Sequence, residues 1–261
     1  MDWFNRWRAA RHIQHSSYRA ALADLPPGLE AAWRHSAPQE FEGIRTDAFF
    51  FVRAAEGLMH FFDVVMRSGK PCALPSEAAD SVWHAWLRWD PVGLERFCIN
   101  HFRRSVPHVE RAGLASGSLL NTFVACRWLE DGAPGGPRLP ALFRLDARLR
   151  MRGGHGYWNH MGKIVYARIG AHGRGWGRAR PHPELSTHAL YMAGMVDRRT
   201  LASHLGRKRA ADGGSCGGFA DGAALAFLDG GASDGCCSDG GGDGGGDAGS
   251  GCGSSCGGGG D

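Results

Sequence analysis

The chain lacks a long uninterrupted apolar segment, and this absence argues against a membrane-spanning helix. Its longest mostly apolar run, residues 48–66, is interrupted by Arg53, Glu56, His60 and Asp63. A spanning helix needs about 20 consecutive apolar residues, so we predict no transmembrane segment. The N-terminus carries arginines but neither a continuous apolar core nor a small-residue cleavage site, so we predict no secretory signal.

Cysteine is scarce in most of the chain, which argues against a fold held together by disulfides. Only Cys72, Cys98 and Cys126 lie in residues 1–211, and they are widely spaced. A disulfide-stabilised domain would carry its cysteines throughout the part that forms the core. We therefore expect three reduced thiols in this part of the chain and a cytoplasmic protein.

Basic residues are absent after Arg209, where glycine becomes dominant. Residues 1–211 hold 30 basic and 18 acidic side chains, a formal charge of +12, whereas residues 212–261 hold eight aspartates and no base. The glycines there follow no three-residue period, which excludes a collagen-like helix. Such a segment has too little apolar area to offset the entropy lost on ordering. We predict a mostly helical globular domain at residues 1–211 and a disordered Gly/Cys/Asp-rich tail at residues 212–261.

The predicted tail admits three hypotheses. It is a plain low-complexity extension, or its aspartates mask the basic body from anionic partners, an attraction that salt would screen. In the third hypothesis its cysteines carry chemistry. The relevant thiols are Cys236-Cys237 and Cys252-x-x-x-Cys256, because flexible cysteines bind soft metals or form disulfides.

A basic amphipathic helix is predicted at the N-terminus, over residues 2–24. Trp3, Trp7 and Tyr18 belong to its series of three- and four-residue spacings, and Pro26-Pro27 closes it. The helix either docks its tryptophans on the rest of the domain or lies on an anionic membrane surface. Nearly all bases of the chain are arginine, a bias typical of a composition rich in Ala, Gly and Pro, so charge alone does not establish a nucleic-acid partner. Nucleic acid and an anionic membrane surface stay open as alternatives to an unidentified protein partner.

The clearest helix is predicted between Asp47, a helix-capping residue, and Gly69, a helix-stopping one. Its few polar residues recur every three or four positions, whereas the other positions are almost all apolar. This pattern is typical of a central core helix with one narrow polar stripe. Because His60 belongs to that stripe, we interpret it as solvent-facing rather than catalytic.

Further helices and a small β element complete the predicted domain. Helices are expected from Ser76 to the Asp90-Pro91 break, at 92–104, from Ser116 or Ser118 to about residue 129, and at 142–149, 185–195 and 197–205. Residues 163–169 are rich in β-branched side chains and are bracketed by glycines, which predicts a β-hairpin near residues 157–177. The expected fold is therefore mainly α, a single helical domain with one small hairpin.

One group of residues has the spacing of a metal site. Cys98 and His101 lie one turn apart on a predicted helix, a spacing that suits two ligands of one zinc ion. A helical hairpin around Asp90-Pro91 would bring His84 back against them, and His108 follows closely. The predicted metal ligands are therefore His84, Cys98, His101 and His108, with zinc as the cofactor.

Two other interpretations of the same residues stay open. Cys98 is also typical of a small buried core residue, and His101 of a core histidine bonded to a carbonyl. Cys98 paired with His84 or His101 would instead form a nucleophilic Cys/His enzyme, which needs an electropositive and partly open setting. The glycines at residues 153–156 precede a strand and do not form a phosphate loop, and paired carboxylates for acid–base catalysis are absent.

The segment from Ser81 to Leu87, with Phe97-Cys98, His101-Phe102 and His108, also carries a resemblance. It resembles the core motif of an uncharacterised bacterial family with a Trp-His pair, a Phe-Cys step, a later histidine and a Gly/Cys-rich C-terminal tail. That family is similar to the glycine-rich domain-containing proteins of unknown function, which have plant members. The resemblance implies no activity. The positions that match its signature are Trp83, His84, Cys98 and His108, and Arg103 stands where a glycine is expected.

These observations favour a non-enzymatic helical domain that binds a protein partner or a metal ion and carries a flexible Gly/Cys tail. The first alternative is a Cys/His-dependent enzyme that uses Cys98. The second is a protein that binds an anionic surface, nucleic acid or membrane, under the control of the acidic tail.

Overall fold

The computed structural model describes residues 2–109, 113–131, 139–160, 163–170, 173 and 175–212. Its helices are α1 (Asp2–His15), α2 (Arg19–Ala23), α3 (Leu29–Glu40), α4 (Ala48–Ser68), α5 (Glu77–Trp89), α6 (Pro91–Phe102), α7 (Ser118–Asp131), α8 (Leu145–Leu149), α9 (Thr187–Met192) and α10 (Arg198–Asp212). Short 3₁₀ turns lie at Leu142–Arg144 and Pro183–Leu185. The prediction of a mainly α fold with a small β element is confirmed, whereas the predicted tail beyond Asp212 lies outside the described residues.

Helix α4 lies at the centre of the helical core, as its sequence pattern predicts. The Asp47 carboxylate caps it by accepting a hydrogen bond from the Phe50 N–H at 3.0 Å. Gly69, with a φ of 61°, ends it in the left-handed conformation that glycine adopts without strain. Helices α1, α5 and α7 all pack against α4, and its buried residues are mostly Phe, Leu, Val and Ala. None of the described helices is both long and apolar enough to cross a membrane.

The polar stripe of α4 forms hydrogen bonds and an ion pair with the N-terminal segment. The interpretation of His60 as solvent-facing is therefore wrong. The Glu56 carboxylate contacts His12 Nε2 at 2.7 Å and accepts a hydrogen bond from the Ser16 hydroxyl at 2.6 Å. The Tyr18 hydroxyl donates to Asp63 at 3.2 Å. These contacts cover the stripe, so the His60 side chain keeps only 13 % of its surface exposed. The polar face of α4 is therefore a contact with the N-terminal helices, made by hydrogen bonds, and not a surface exposed to solvent.

The N-terminal segment forms two helices where one was predicted. The break follows His15, where the Ser16 hydroxyl accepts a hydrogen bond from the Tyr18 N–H at 3.1 Å while donating to Glu56. Local side-chain bonds of this kind compete with the helical backbone pattern. The break turns the chain so that α2 also reaches α4.

Helix α3 was not predicted, and it lies along α5. Its buried residues are Leu29, Trp33 and Ala37, and Pro38 stands inside its last turn. The Trp33 indole N–H donates to the Ser81 hydroxyl of α5 at 2.9 Å, so this buried polar group is satisfied. A proline and few apolar residues hide the helical period of α3 in the sequence.

The β element is a three-stranded antiparallel sheet in the order β1 (His155–His160), β2 (Lys163–Ile169) and β3 (Gly175–Pro181). Tyr157 pairs with Tyr166 in the first ladder. The predicted hairpin corresponds to β1 and β2. The third strand was not predicted because glycine and arginine dominate its sequence and leave no alternation of apolar and polar residues.

A buried carboxylate, Asp146, joins the sheet to helix α5. It accepts hydrogen bonds from the Ser76 hydroxyl at 2.5 Å, from the backbone N–H of Glu77 at 3.0 Å and of Ala78 at 3.1 Å, and from that of His155 at 2.8 Å. Two of these donors are backbone N–H groups of the first turn of α5, which the helix itself provides with no acceptor, and a carboxylate there also lies at the favourable end of the helix dipole. Asp146 thereby sets the position of the helix that carries the candidate site.

Candidate metal centre

Helix α5 presents three polar side chains in a row on one side. Its first turn is capped by the Ser76 hydroxyl, which accepts from the Ala79 N–H at 3.2 Å. From there Asp80, His84 and Arg88 follow at four-residue spacing, so each side chain lies one turn beyond the last. The same helix buries Trp83 and Trp86 on its other side.

His108 reaches this row from the segment that follows α6. Arg103 ends α6 in the left-handed conformation with a φ of 69°, and the chain then turns back towards α5. The rings of the buried Trp83 and of His108 pack edge to face, with centroids 4.6 Å apart and planes at 84°. This contact fixes the orientation of the His108 imidazole.

The three side chains converge on one point. Nε2 of His84 lies 3.1 Å from Nε2 of His108. One carboxylate oxygen of Asp80 lies 3.6 Å from Nε2 of His84, and the other lies 3.5 Å from Nε2 of His108. Asp80, His84 and His108 are the group among the described residues that could hold a metal ion. Their side chains are 17–29 % exposed, so the site is open to solvent on one side.

These separations agree with the geometry of a tetrahedral zinc site. Two ligand atoms that each lie about 2.0–2.1 Å from a tetrahedral zinc ion are about 3.3 Å apart. The two Nε2 atoms, 3.1 Å apart, lie close to that value, and each has a different carboxylate oxygen of Asp80 near it, at 3.6 and 3.5 Å. Two imidazoles and one carboxylate are ligands that zinc accepts, and three protein ligands leave one position for water or another group.

Glu40, at the end of α3, contacts His84 on the ring nitrogen that does not face His108. Its carboxylate lies 3.1 Å from Nδ1 of His84, and its other oxygen forms an ion pair with Arg88. Burial of Glu40 opposes its ionisation, but the hydrogen bonds from Arg88 and His84 outweigh burial and lower the pKa of Glu40. A carboxylate on Nδ1 keeps the proton there and leaves Nε2 with a free lone pair, which is how metal-binding histidines are commonly oriented.

Of the four predicted ligands, the structure brings His84 and His108 together and places Cys98 and His101 outside this group. Cys98 is buried, and the backbone at Val106 hydrogen-bonds its thiol. Burial raises the pKa of Cys98 to about 12. His101 lies 3.2 Å from the Asp24 carboxylate and packs on Phe97. The one-turn spacing of Cys98 and His101 did not bring them to one ligand site, because the two side chains meet different neighbours.

Two residues of the site were missed. Asp80 had a local signal, because an aspartate four residues before a histidine on a predicted helix lies on the same face. Glu40 had none, since 44 residues separate it from His84 and its helix was itself not predicted.

Comparisons of the chain with protein-family models, with curated proteins and with solved structures found no match. The resemblance of the Trp83-His84, Phe97-Cys98 and His108 positions to a glycine-rich bacterial family therefore stays a prediction.

Proposed function

We propose that this chain is a non-enzymatic helical domain that binds a zinc ion through Asp80, His84 and His108. The observation that carries the proposal is the convergence of two Nε2 atoms and one carboxylate at the spacing of a tetrahedral site. The Glu40 carboxylate on Nδ1 of His84 supports it, because it holds the tautomer that a metal ligand requires.

The chemistry of the site follows from what its residues can hold. The zinc ion would join α5 to the segment after α6 and would leave one coordination position on the exposed side. That position suits a water molecule or a side chain from a protein partner, which links the metal and the partner in one function. The aspartate neutralises part of the ion's charge, and the fixed imidazoles keep the donor atoms aimed at it.

The Cys/His enzyme is the less favoured alternative. A catalytic thiol needs a lowered pKa and access to solvent, whereas the Cys98 thiol is buried and its pKa is raised to about 12 by that burial. A cytoplasmic location is also part of the proposal. It is supported by Cys72, Cys98 and Cys126, which are free thiols in the described part of the chain.

The test is the zinc content of the full chain, purified without chelator and measured by elemental analysis. We expect wild type to carry about one equivalent more than the His84→Ala/His108→Ala double variant. The comparison of these two proteins cancels any zinc held by the tail cysteines. His101→Ala is the matched control, since it removes a predicted ligand that lies outside the group, and it should retain the wild-type content.

Two results would contradict the proposal. An equal zinc content in wild type and the double variant would show that His84 and His108 do not bind zinc. A loss of the same equivalent in Cys98→Ala would restore the four-ligand arrangement predicted from sequence. Cobalt substitution separates these cases, because a site without cysteine gives no thiolate-to-metal charge-transfer absorption that depends on Cys98.

A further inference from the structure

The exposed end of helix α1 combines three aromatic rings with arginines. Trp3, Phe4 and Trp7 keep 78 %, 52 % and 46 % of their surface exposed. Aromatic rings of this size are normally buried, and each one left in water forgoes a favourable burial of its surface. A cluster of three at one end of one helix marks an interaction surface. We call these three residues the aromatic end of α1.

Arginine side chains accompany these rings. Phe4 and Trp7 stack with centroids 5.9 Å apart, and the Arg11 guanidinium lies 5.5 Å from the Trp7 ring. Arg6 and Arg11 are exposed on the same helix. The surface therefore presents apolar rings together with positive charge, which is the composition that suits the boundary between lipid headgroups and acyl chains.

A recess beside the aromatic end adds a place for an anionic group. It has a volume of about 440 Å³ and is lined by Trp7, Arg8, Arg11, His12, His15 and Phe49. Arg8 lies over the Phe49 ring at 3.9 Å, which holds its charge at the wall of the recess. The two guanidinium groups at this opening match the charge of a phosphate headgroup.

The opposite side of α1 is already fixed to the domain. Ala9 is buried, and His12 contacts Glu56 of α4 at 2.7 Å. The helix is thus formed and held before any partner arrives, and binding would not have to offset the entropy of folding it. Its free side carries exposed aromatic rings beside arginines, a composition that suits insertion at a lipid headgroup boundary, so these features favour a lipid surface over a single strand.

We propose that the aromatic end of α1 binds an anionic phospholipid membrane peripherally, with Trp3, Phe4 and Trp7 entering the interface and the neighbouring recess holding a lipid phosphate. Residues 1–211 carry a formal charge of +12 and the full chain, with its acidic tail, still carries +4, so an anionic surface attracts it. The rings then supply contact with the acyl region, which charge alone does not.

The test is flotation of the full chain with vesicles of phosphatidylglycerol and phosphatidylcholine, compared with vesicles of phosphatidylcholine alone. We expect binding to the anionic vesicles, weakened by salt, and little binding to the neutral ones. The Trp3→Ser/Phe4→Ser/Trp7→Ser variant should bind about tenfold more weakly or worse. Arg6→Gln/Arg11→Gln should lose about 10- to 30-fold, at roughly 1 kcal/mol for each base near the surface. Trp128→Ser, which removes an exposed tryptophan from α7, is the control and should bind like wild type.

Quenching of tryptophan fluorescence by brominated lipid distinguishes ring insertion from adsorption by charge alone. Quenching should be present in wild type and in Trp128→Ser, and it should be largely lost in the triple variant. Full vesicle binding by the triple variant, or equal binding to neutral vesicles, would overturn the proposal. Loss of single-stranded oligonucleotide binding in the same variants, without any binding of wild type to vesicles, would assign the surface to nucleic acid instead. None of these substitutions touches Asp80, His84 or His108, so the result is independent of the zinc proposal.

Discussion

Nε2 of His84 lies 3.1 Å from Nε2 of His108, although the two residues come from different segments of the chain. Because the Glu40 carboxylate lies on Nδ1 of His84, the proton of that ring belongs on Nδ1 and its Nε2 offers a lone pair. Two imidazole nitrogens facing one another at this distance need either a shared proton or a cation between them. Asp80 beside both nitrogens stabilises either arrangement, and the zinc content of wild type and the His84→Ala/His108→Ala variant distinguishes them.

Removal of Glu40 should weaken zinc binding without removing a ligand. We expect Glu40→Ala to lose about 10- to 100-fold in zinc affinity, because His84 then loses the partner that orients it. The measurement is competition with a fluorescent zinc chelator. The matched control is Glu42→Ala, which lies two residues away and pairs with Arg152 instead. An affinity for zinc in Glu40→Ala equal to that of the control would show that His84 needs no such support.

Removal of Asp146 should cost far more stability than loss of an ordinary helix cap. In Asp146→Ala the Ser76 hydroxyl and three backbone N–H groups lose their buried acceptor, so we expect a loss of about 3–5 kcal/mol. Asp47→Ala removes a half-buried cap of α4 and should cost about 1 kcal/mol. Urea unfolding measures both. If Asp146→Ala does not fold, Asp146→Asn replaces it, and an effect no larger than that of Asp47→Ala would contradict the role given to Asp146.

His60 should make the domain less stable at acid pH. Burial lowers the pKa of His60 below its ordinary value of 6.5, and Asp63 and Glu56 only partly offset this. The folded state therefore binds fewer protons than the unfolded state just below pH 6.5, so the free energy of unfolding falls as pH decreases through this range. The other groups facing His60 are Tyr18 from the N-terminal segment and Glu130 from α7.

The measurement is urea unfolding of wild type and His60→Gln between pH 8 and pH 5. The fall in stability should be shallower in His60→Gln, since glutamine does not titrate. Other histidines contribute equally to both proteins, so the difference between the two curves belongs to His60. Parallel curves would show that His60 takes up its proton in the folded state as readily as in the unfolded one.

Alkylation should separate Cys98 from Cys72. In the native protein, iodoacetamide should leave Cys98 unmodified, because the thiol is buried and burial raises its pKa to about 12. Cys72 is only partly covered and should react. Peptide mapping by mass spectrometry after native labelling, repeated in urea, gives the comparison. Rapid modification of Cys98 in the native protein would support the hypothesis that Cys98 is a catalytic nucleophile.

The helices could be predicted where local rules act, and the site only in part. Asp47 and Ser76 are capping residues that mark the starts of α4 and α5 in the sequence as well as in the structure, whereas Asp90, predicted only as a helix break, caps α6. Cys98 and His101 share a helical turn, but spacing along one helix does not reveal which neighbours each side chain meets.

The remaining parts of the site depend on tertiary packing. Glu40 contacts His84 because α3 packs along α5, and the spacing of residues in the sequence does not predict this contact. The stripe that includes Glu56 and His60 has the polarity of a solvated face. Its hydrogen-bond partners are nevertheless protein groups, since His12 and Ser16, which are distant in sequence, contact Glu56. A pattern of polarity reports that a face is polar, and only the fold reports whether water or another helix satisfies it.

Helix α3 is attached to α5 at two levels, by the Trp33–Ser81 hydrogen bond within the core and by Glu40 at the exposed end. An ion that immobilises His84 would therefore also make the detachment of α3 less favourable, even though α3 contributes no ligand. Thermodynamic linkage runs both ways, so anything that loosens α3 would lower the affinity for the ion. Hydrogen-exchange protection of the amides in residues 29–40 would then serve as a readout of metal occupancy at a distance from the metal itself.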